Sequence, residues 1–120
     1  MPDVMFMATL NIGLSIQGEE RPMQLPHTLS ILNGLTRRRS GFAFRIEPNK
    51  KYDGHTERTI VVRAALCPKN LEAMCLALGQ ECIAIKYDDP DLNKKEGGRL
   101  VWSPMTEPRF EFSNDHFTDW

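Results

Sequence analysis

The sequence has few cysteines and no long apolar run. Its three cysteines, Cys67, Cys75 and Cys82, are odd in number and show no paired spacing. That pattern argues against a disulfide framework and favours a reducing compartment such as the cytoplasm. No apolar stretch approaches the roughly 18 residues that a membrane-spanning helix needs. The first residues, MPDVMFMATLNIGLSI, lack the basic residues that begin a secretory signal, so we expect neither secretion nor membrane insertion.

A strong charge of one sign is also missing. The formal net charge is -1 and the pI is near 6.3. A protein with this balance has no global basic field to hold nucleic acid phosphates, and DNA is not an expected partner. Any site for an anion has to be a local cluster of cations.

Metal-binding motifs are absent as well. The histidines His27, His55 and His116 lie far apart, and none forms a HxxxH or CxxC spacing with a neighbour. The acidic run 88–91 resembles the start of a calcium loop, but Pro90 interrupts it. The glycine and the bidentate glutamate that such a loop requires are not in place. We therefore predict no metal site and no cofactor.

The common catalytic motifs do not occur either. There is no GxSxG, no SxxK, no GxGxxG and no phosphate-binding P-loop. Cys75 and Cys82 fall on apolar positions, where a thiol is normally an inert small hydrophobic group. We predict that the protein is not an enzyme, with a small active site in a dimer cleft as the open alternative.

The composition is that of an ordinary globular protein. With 120 residues, 41% of them hydrophobic and 26% charged, the chain is long enough for one core and too short for two. We therefore expect one domain over residues 1–120. Apolar residues alternate in some segments and recur every three to four residues in others. This periodicity predicts strands over 4–16, 41–48, 56–66, 81–87 and 98–102, and helices over 26–38 and 70–79.

The order of these segments predicts the fold class. Strand, helix, strand, strand, helix, strand is the split β-α-β pattern of ferredoxin-like sandwiches, an α+β class with two helices on one face of an antiparallel sheet. A polar turn at 49–54, with the favoured pair Asp53-Gly54, would join the second and third strands. One extra strand and an aromatic tail (residues 103–120) follow. The second face of the sheet then has to be covered by this tail or by another subunit.

The densest positive patch is the arginine run 37–39. Its plain interpretation is a favourable interaction with the carboxyl end of the first helix. The alternative is an anion site, because guanidinium groups match phosphate oxygens in pairs. Such a site needs further arginines from other segments and aromatic rings that stack on a base. The alternative role of these rings is to cover the second face of the sheet. The candidates are Arg58, Arg63, Arg99 and Arg109, with Tyr87, Trp102, Phe110 and Phe112.

One region resembles a known family. The succession QECIAI, a charged loop, GGRLVW and an aromatic tail resembles the small phage Thoeris anti-defence proteins over about residues 71–103. These are hexameric sponges that sequester cyclic ADP-ribose signals made by a bacterial immune enzyme. The resemblance implies binding without turnover, at sites between the subunits of a homo-oligomer (dimer to hexamer), in the cytoplasm of an infected bacterium.

The resemblance also implies ligand-binding residues. An aromatic-Asp pair at a strand end corresponds to Tyr87 and Asp88, the phosphate contact to Arg99 or Arg109, and a further contact to Asn93. The ligand would be a cyclic ADP-ribose isomer. The alternative function is that of a phage inhibitor, similar to an anti-CRISPR protein, which binds a bacterial defence complex directly.

Overall fold

The structure, a computed structural model, describes residues 4–13, 15–16, 19–20, 24–52, 55–93 and 97–120. It has two helices, two sheets and three short 3-10 turns within these ranges. The strands are β1 (Phe6–Gly13), β2 (Ser15–Ile16), β3 (Glu19–Glu20), β4 (Ala43–Tyr52), β5 (His55–Leu66), β6 (Cys82–Tyr87) and β7 (Arg99–Trp102). The helices are α1 (Gln24–Arg38) and α2 (Leu71–Ala77).

The main sheet has five strands in the order β4-β5-β1-β6-β7. Every neighbouring pair is antiparallel, and β1 lies in the centre between β5 and β6. Strands β2 and β3 form a separate two-stranded ladder. The prediction of an α+β protein with an antiparallel sheet and two helices is confirmed.

One face of the sheet carries the hydrophobic core. Alternate residues of a strand point to the same face, and in β1 these are Ala8, Leu10 and Ile12, all with no exposed surface. Their partners on β5 and β6 are buried with them, as are Leu32 of α1 and Cys75 of α2. The core lies between this face and the helices. No helix in the described ranges has the length and hydropathy to cross a membrane.

Helix α2 follows the predicted spacing. Leu71, Cys75 and Leu78 are buried, and Met74 packs against them. The thiol of Cys75 donates to the carbonyl of Gln80 at 3.3 Å. Burial raises the pKa of Cys75 to about 11, so the thiol is protonated at neutral pH, which agrees with its assignment to the core.

Several predicted boundaries were wrong. Strand β1 ends at Gly13 rather than at residue 16, and α1 begins two residues early at Gln24, which leaves Pro26 in its first turn, where no N–H bond is needed. Strand β4 continues through the predicted turn to Tyr52, with a register shift between Glu47 and Lys50. This is an edge strand, so a proline at position 48 is accommodated by the irregularity instead of ending the ladder. The predicted Asp53-Gly54 turn lies outside the described residues.

The aromatic tail lies on the second sheet face, which is the face opposite the helices. It has one 3-10 turn, Asn114–His116, and no helix or strand. At β7, the ring of Phe110 meets that of Trp102 edge-on, with 5.0 Å between centroids. The ring of Phe112 lies directly on Gly98, where a Cβ atom would come within 2.5 Å of it.

The end of the tail continues across the middle of the sheet to the opposite edge. The Lys86 ammonium of β6 lies 4.8 Å from the ring centroid of Phe117. The main chain of Thr118 bonds to Asn11 of β1, and that of Asp119 bonds to Arg45 of β4. The tail therefore spans the sheet from β7 to β4.

Candidate functional site

The aromatic-Asp pair at the end of β6 is divided between the two sheet faces. Adjacent residues of a strand point in opposite directions, so Tyr87 enters the core and Asp88 faces the second side. Tyr87 is 2% exposed, its ring packs edge-on against Phe6, and its hydroxyl donates to the Leu66 carbonyl at 3.2 Å. The ring of Tyr87 is a core group and offers no open face to a stacked base.

Asp88 is held by an arginine on the second face. The Arg63 guanidinium donates two bonds to its carboxylate, one of them 2.7 Å long, and a third to the Thr9 hydroxyl at 3.2 Å. The hydrogen bonds from Arg63 lower the pKa of Asp88. Both oxygens of Asp88 are thus engaged within the chain.

This ion pair predicts a pH-dependent coupling energy. The folded-state pKa of Asp88 lies below its unfolded value of about 3.9, so the pair stabilises the fold above about pH 4 and loses that effect as the pH falls through the folded pKa. We expect a double-mutant cycle of Arg63→Leu and Asp88→Asn to give at most about 1 kcal/mol at pH 7, because the pair is solvent-accessible. Urea denaturation at pH 7 and pH 2.5 measures it. An equal coupling at the two pH values would contradict this assignment.

Asn93 fastens the loop after β6 to the strand end. Its side-chain oxygen accepts from the Tyr87 N–H at 2.8 Å, and its side-chain nitrogen donates to the Tyr87 carbonyl at 2.9 Å. Asp89 caps the short turn Pro90–Leu92 between them. These bonds hold residues 89–93 against the end of β6.

Arg99 lies beside the hydroxyl of Tyr87 on the helix side of the sheet. It begins β7 and pairs with Ile85, which places it on the same face as Tyr87. Burial raises the pKa of Tyr87, whereas the charge and hydrogen bond of the Arg99 guanidinium act to lower it. The Nε atom of Arg99 is buried and has no hydrogen-bond partner. Arg99 therefore has donor capacity that its contacts do not use.

Arg109 lies elsewhere. Its guanidinium forms an ion pair with Glu81 at 2.7 Å, just before β6 begins. Arg99 pairs with Ile85, four residues farther along β6, which corresponds to roughly 13 Å of strand. The structure places Asn93 on the main chain of Tyr87 and Arg99 beside its hydroxyl, and it separates Arg99 from Arg109 and from the carboxylate of Asp88.

A cavity opens between the end of α1 and the start of α2, and its wall includes Leu66, whose carbonyl accepts from the Tyr87 hydroxyl. Its volume is about 170 Å³, and it is partly open to solvent. Most of its wall is apolar, with one guanidinium, one side-chain amide and one thiol. It is lined by Met5, Leu35, Arg39, Leu66, Cys67, Asn70, Leu71 and Met74.

Arg39 is a candidate site residue that the sequence did not separate from its neighbours. The run 37–39 was treated as one patch, but Arg37 and Arg38 are exposed, whereas Arg39 is partly buried. Its guanidinium donates to the Ala65 carbonyl and lies 5.7 Å from the ring centroid of Phe42. The sequence spacing could have indicated this burial, because Arg39 follows Leu35 by four residues and therefore lies on the same side of the helix.

Two guanidinium groups therefore flank the end of β5. Arg39 bonds to the Ala65 carbonyl, and Arg99 lies beside Tyr87, which bonds to the Leu66 carbonyl. Successive carbonyls of a strand point to opposite sides, so the two arginines approach β5 from different directions. No carboxylate of the described residues forms an ion pair with either. Guanidinium groups bind phosphate oxygens, and apolar walls accept a ring. No cluster of metal-ligating side chains occurs in the described part of the chain.

Comparison of the chain with protein-family models, with curated proteins and with solved structures gives no significant match. We therefore infer the function from the cavity, from Arg39 in its wall and from Arg99 beside Tyr87.

Proposed function

We propose that the protein binds and sequesters a cyclic ADP-ribose-type nucleotide, without degrading it, at the cavity between α1 and α2. The observation that carries this proposal is that Arg39 lines the cavity and that Arg99, whose buried Nε atom lacks a partner, lies beside the tyrosine that bonds to Leu66 of the cavity wall. A buried unpaired donor costs free energy that a bound acceptor recovers. Phosphate oxygens are the acceptors that fit a guanidinium best.

The size of the cavity limits which part of the ligand it holds. A cavity of roughly 150 Å³ is large enough for a benzene ring, so about 170 Å³ accommodates one ring of a nucleotide. Pockets that bury a whole small ligand are larger, roughly 300 Å³ or more. We infer that a second copy of the chain covers the rest of the ligand, which makes the working protein a homo-oligomer, from dimer to hexamer, with sites between subunits.

The chemistry of the lining supports binding rather than turnover. The described lining contains neither a carboxylate nor an imidazole. Hydrolysis of a phosphate ester is commonly assisted by a positioned acid or base, which His, Asp and Glu usually provide. A sponge needs affinity alone, and arginines with apolar walls provide it.

We further infer that the fold is a ferredoxin-like sandwich with an added C-terminal strand. The chain order β1-α1-β4-β5-α2-β6 with β1 and β5 in the middle of these four strands supports this assignment. Together with the resemblance of residues 71–103 to the Thoeris anti-defence proteins, it supports a role in the cytoplasm of an infected bacterium. The predicted stacking by Tyr87 is replaced by burial of the base against Leu35, Leu71 and Met74.

The proposal is tested by capture and release. The purified protein is incubated with a cyclic ADP-ribose isomer, freed of unbound ligand, and heat-denatured, and the supernatant is analysed by chromatography. We expect intact ligand in the supernatant. Recovery of a hydrolysis product would identify an enzyme instead, and absence of any retained ligand would overturn the proposal for that isomer. A host protein that co-purifies without nucleotide would favour the direct inhibitor.

A further inference from the structure

The second sheet face recognises the main chain of the tail. Asn11 lies in the central strand and is 4% exposed. Its side-chain nitrogen donates to the Thr118 carbonyl, and its side-chain oxygen accepts from the Thr118 N–H, both at 2.9 Å. The Asn11 amide thus engages both the N–H and the C=O of one residue, the two main-chain groups that an added strand also engages.

Strands on both sides of β1, namely β4 and β6, hold the residues that flank Thr118. Arg45 donates to the Asp119 carbonyl at 3.1 Å, and its guanidinium carbon lies 5.4 Å from the Trp120 ring centroid. On the other side, Lys86 lies over Phe117. Two main-chain anchors and two cation–π contacts thus fix four consecutive residues. This is the arrangement of a peptide in a binding site, with the peptide supplied by the same chain.

The segment that connects the sheet to this docked peptide is well suited to a change of direction. Ser103 and Thr106 close a turn that contains Met105, which is 81% exposed, and residues 107–111 after the turn are exposed as well. Pro104 lies in this turn, and Pro108 favours an extended conformation in the connection after it. Nothing in the contacts of Asn11, Arg45 or Lys86 depends on which copy of the chain supplies the tail.

We propose that residues 110–120 are an exchangeable strap, and that the second sheet face also binds the tail of a second copy of this chain. Reciprocal exchange between two copies is a closed, two-fold arrangement that makes every contact of the single chain. A short linker gives the chain's own tail an effective concentration of roughly millimolar, so self-strapping dominates in dilute solution. The strap lies on the face opposite the nucleotide cavity, and the inference is independent of the proposed function.

The test pairs two full-length variants with complementary defects. Asn11→Leu keeps an intact tail but has a defective face, because the leucine cannot bond to Thr118. Thr118→Pro keeps an intact face but lacks the N–H that Asn11 accepts. When they are mixed, the tail of the first can dock only on the face of the second. Native mass spectrometry counts the mixed species.

The control is a mixture of Asn11→Leu with isotopically labelled Asn11→Leu, which assembles by any other interface but has no intact face. We expect at least about tenfold more mixed dimer with the complementary pair, since both hydrogen bonds to Asn11 are restored in trans. Equal amounts in the two mixtures would overturn the proposal.

If Asn11→Leu does not fold, a second arm keeps the test decisive. A fluorescent peptide of residues 109–120 is titrated into full-length Thr118→Pro, and its anisotropy is followed. Binding of this peptide, with at least about tenfold weaker binding of the same peptide carrying Thr118→Pro, supports the strap. Equal affinity of the two peptides, or no binding, refutes it.

Discussion

Arg99→Ala is expected to weaken retention of the cyclic nucleotide about 30- to 700-fold, because the loss of charged hydrogen bonds costs about 2 to 4 kcal/mol. The fold should tolerate the change. Arg99 is only partly buried, and alanine removes its Nε donor, which is buried without a partner. We expect a melting temperature within a few degrees of the parent protein. Equilibrium dialysis with labelled ligand measures the affinity.

Arg109→Ala is the matched control. It removes the same side chain from the other end of β6, where Arg109 pairs with Glu81, and it should leave retention unchanged. Arg39→Ala should weaken retention as Arg99→Ala does. Arg99→Lys should recover part of the affinity, because an ammonium keeps the charge but loses the fork that engages two oxygens. Unchanged retention in Arg99→Ala, or loss confined to Arg109→Ala, would exclude this site.

Gly98→Ala is expected to lower the free energy of unfolding by about 1 to 3 kcal/mol, the usual penalty for adding a methyl group to a filled space. The new Cβ atom would lie 2.5 Å from the Phe112 ring, which has to move. That ring also contacts Phe117, with 6.1 Å between centroids, so the displacement reaches the docked end of the tail. Urea denaturation gives the change in stability.

Two comparisons show whether the ring is the cause. Gly34→Ala, on the surface of α1, meets only the flexible end of Arg38 at 3.5 Å and should be stabilising by roughly 0.5 to 1 kcal/mol through helix propensity. Phe112→Ala should reduce the penalty of Gly98→Ala when the two are combined, because the clash partner is gone. If Gly98→Ala costs the same with and without Phe112, the tail does not pack there.

Local patterns were enough to predict the elements of the fold. The alternation in β5 and the spacing of Leu71, Cys75 and Leu78 in α2 reflect burial on one face, which a sequence carries directly. The ends of the elements were less predictable. A proline such as Pro48 ends a central strand but is tolerated in an edge strand, and the local sequence does not show which of these the strand will be.

The site was predictable only in part. The alternation that places Tyr87 and Asp88 on opposite faces is visible in the sequence, yet their adjacency suggested a joint role. The partners of Asp88 and Arg109, which are Arg63 and Glu81, depend on which strands become neighbours. Strand order is a property of the whole chain, so no local window contains it.

The central position of β1 affects how the chain folds during its synthesis on the ribosome. This strand is made early, but its neighbours β5 and β6 end at Leu66 and Tyr87. At a synthesis rate of roughly 5 to 20 residues per second, β1 waits several seconds without a partner on either edge. Asn11 waits longest, because Thr118 follows it by 107 residues. During that interval both edges of β1 are unpaired, and unpaired strand edges expose a nascent chain to aggregation, which chaperones prevent.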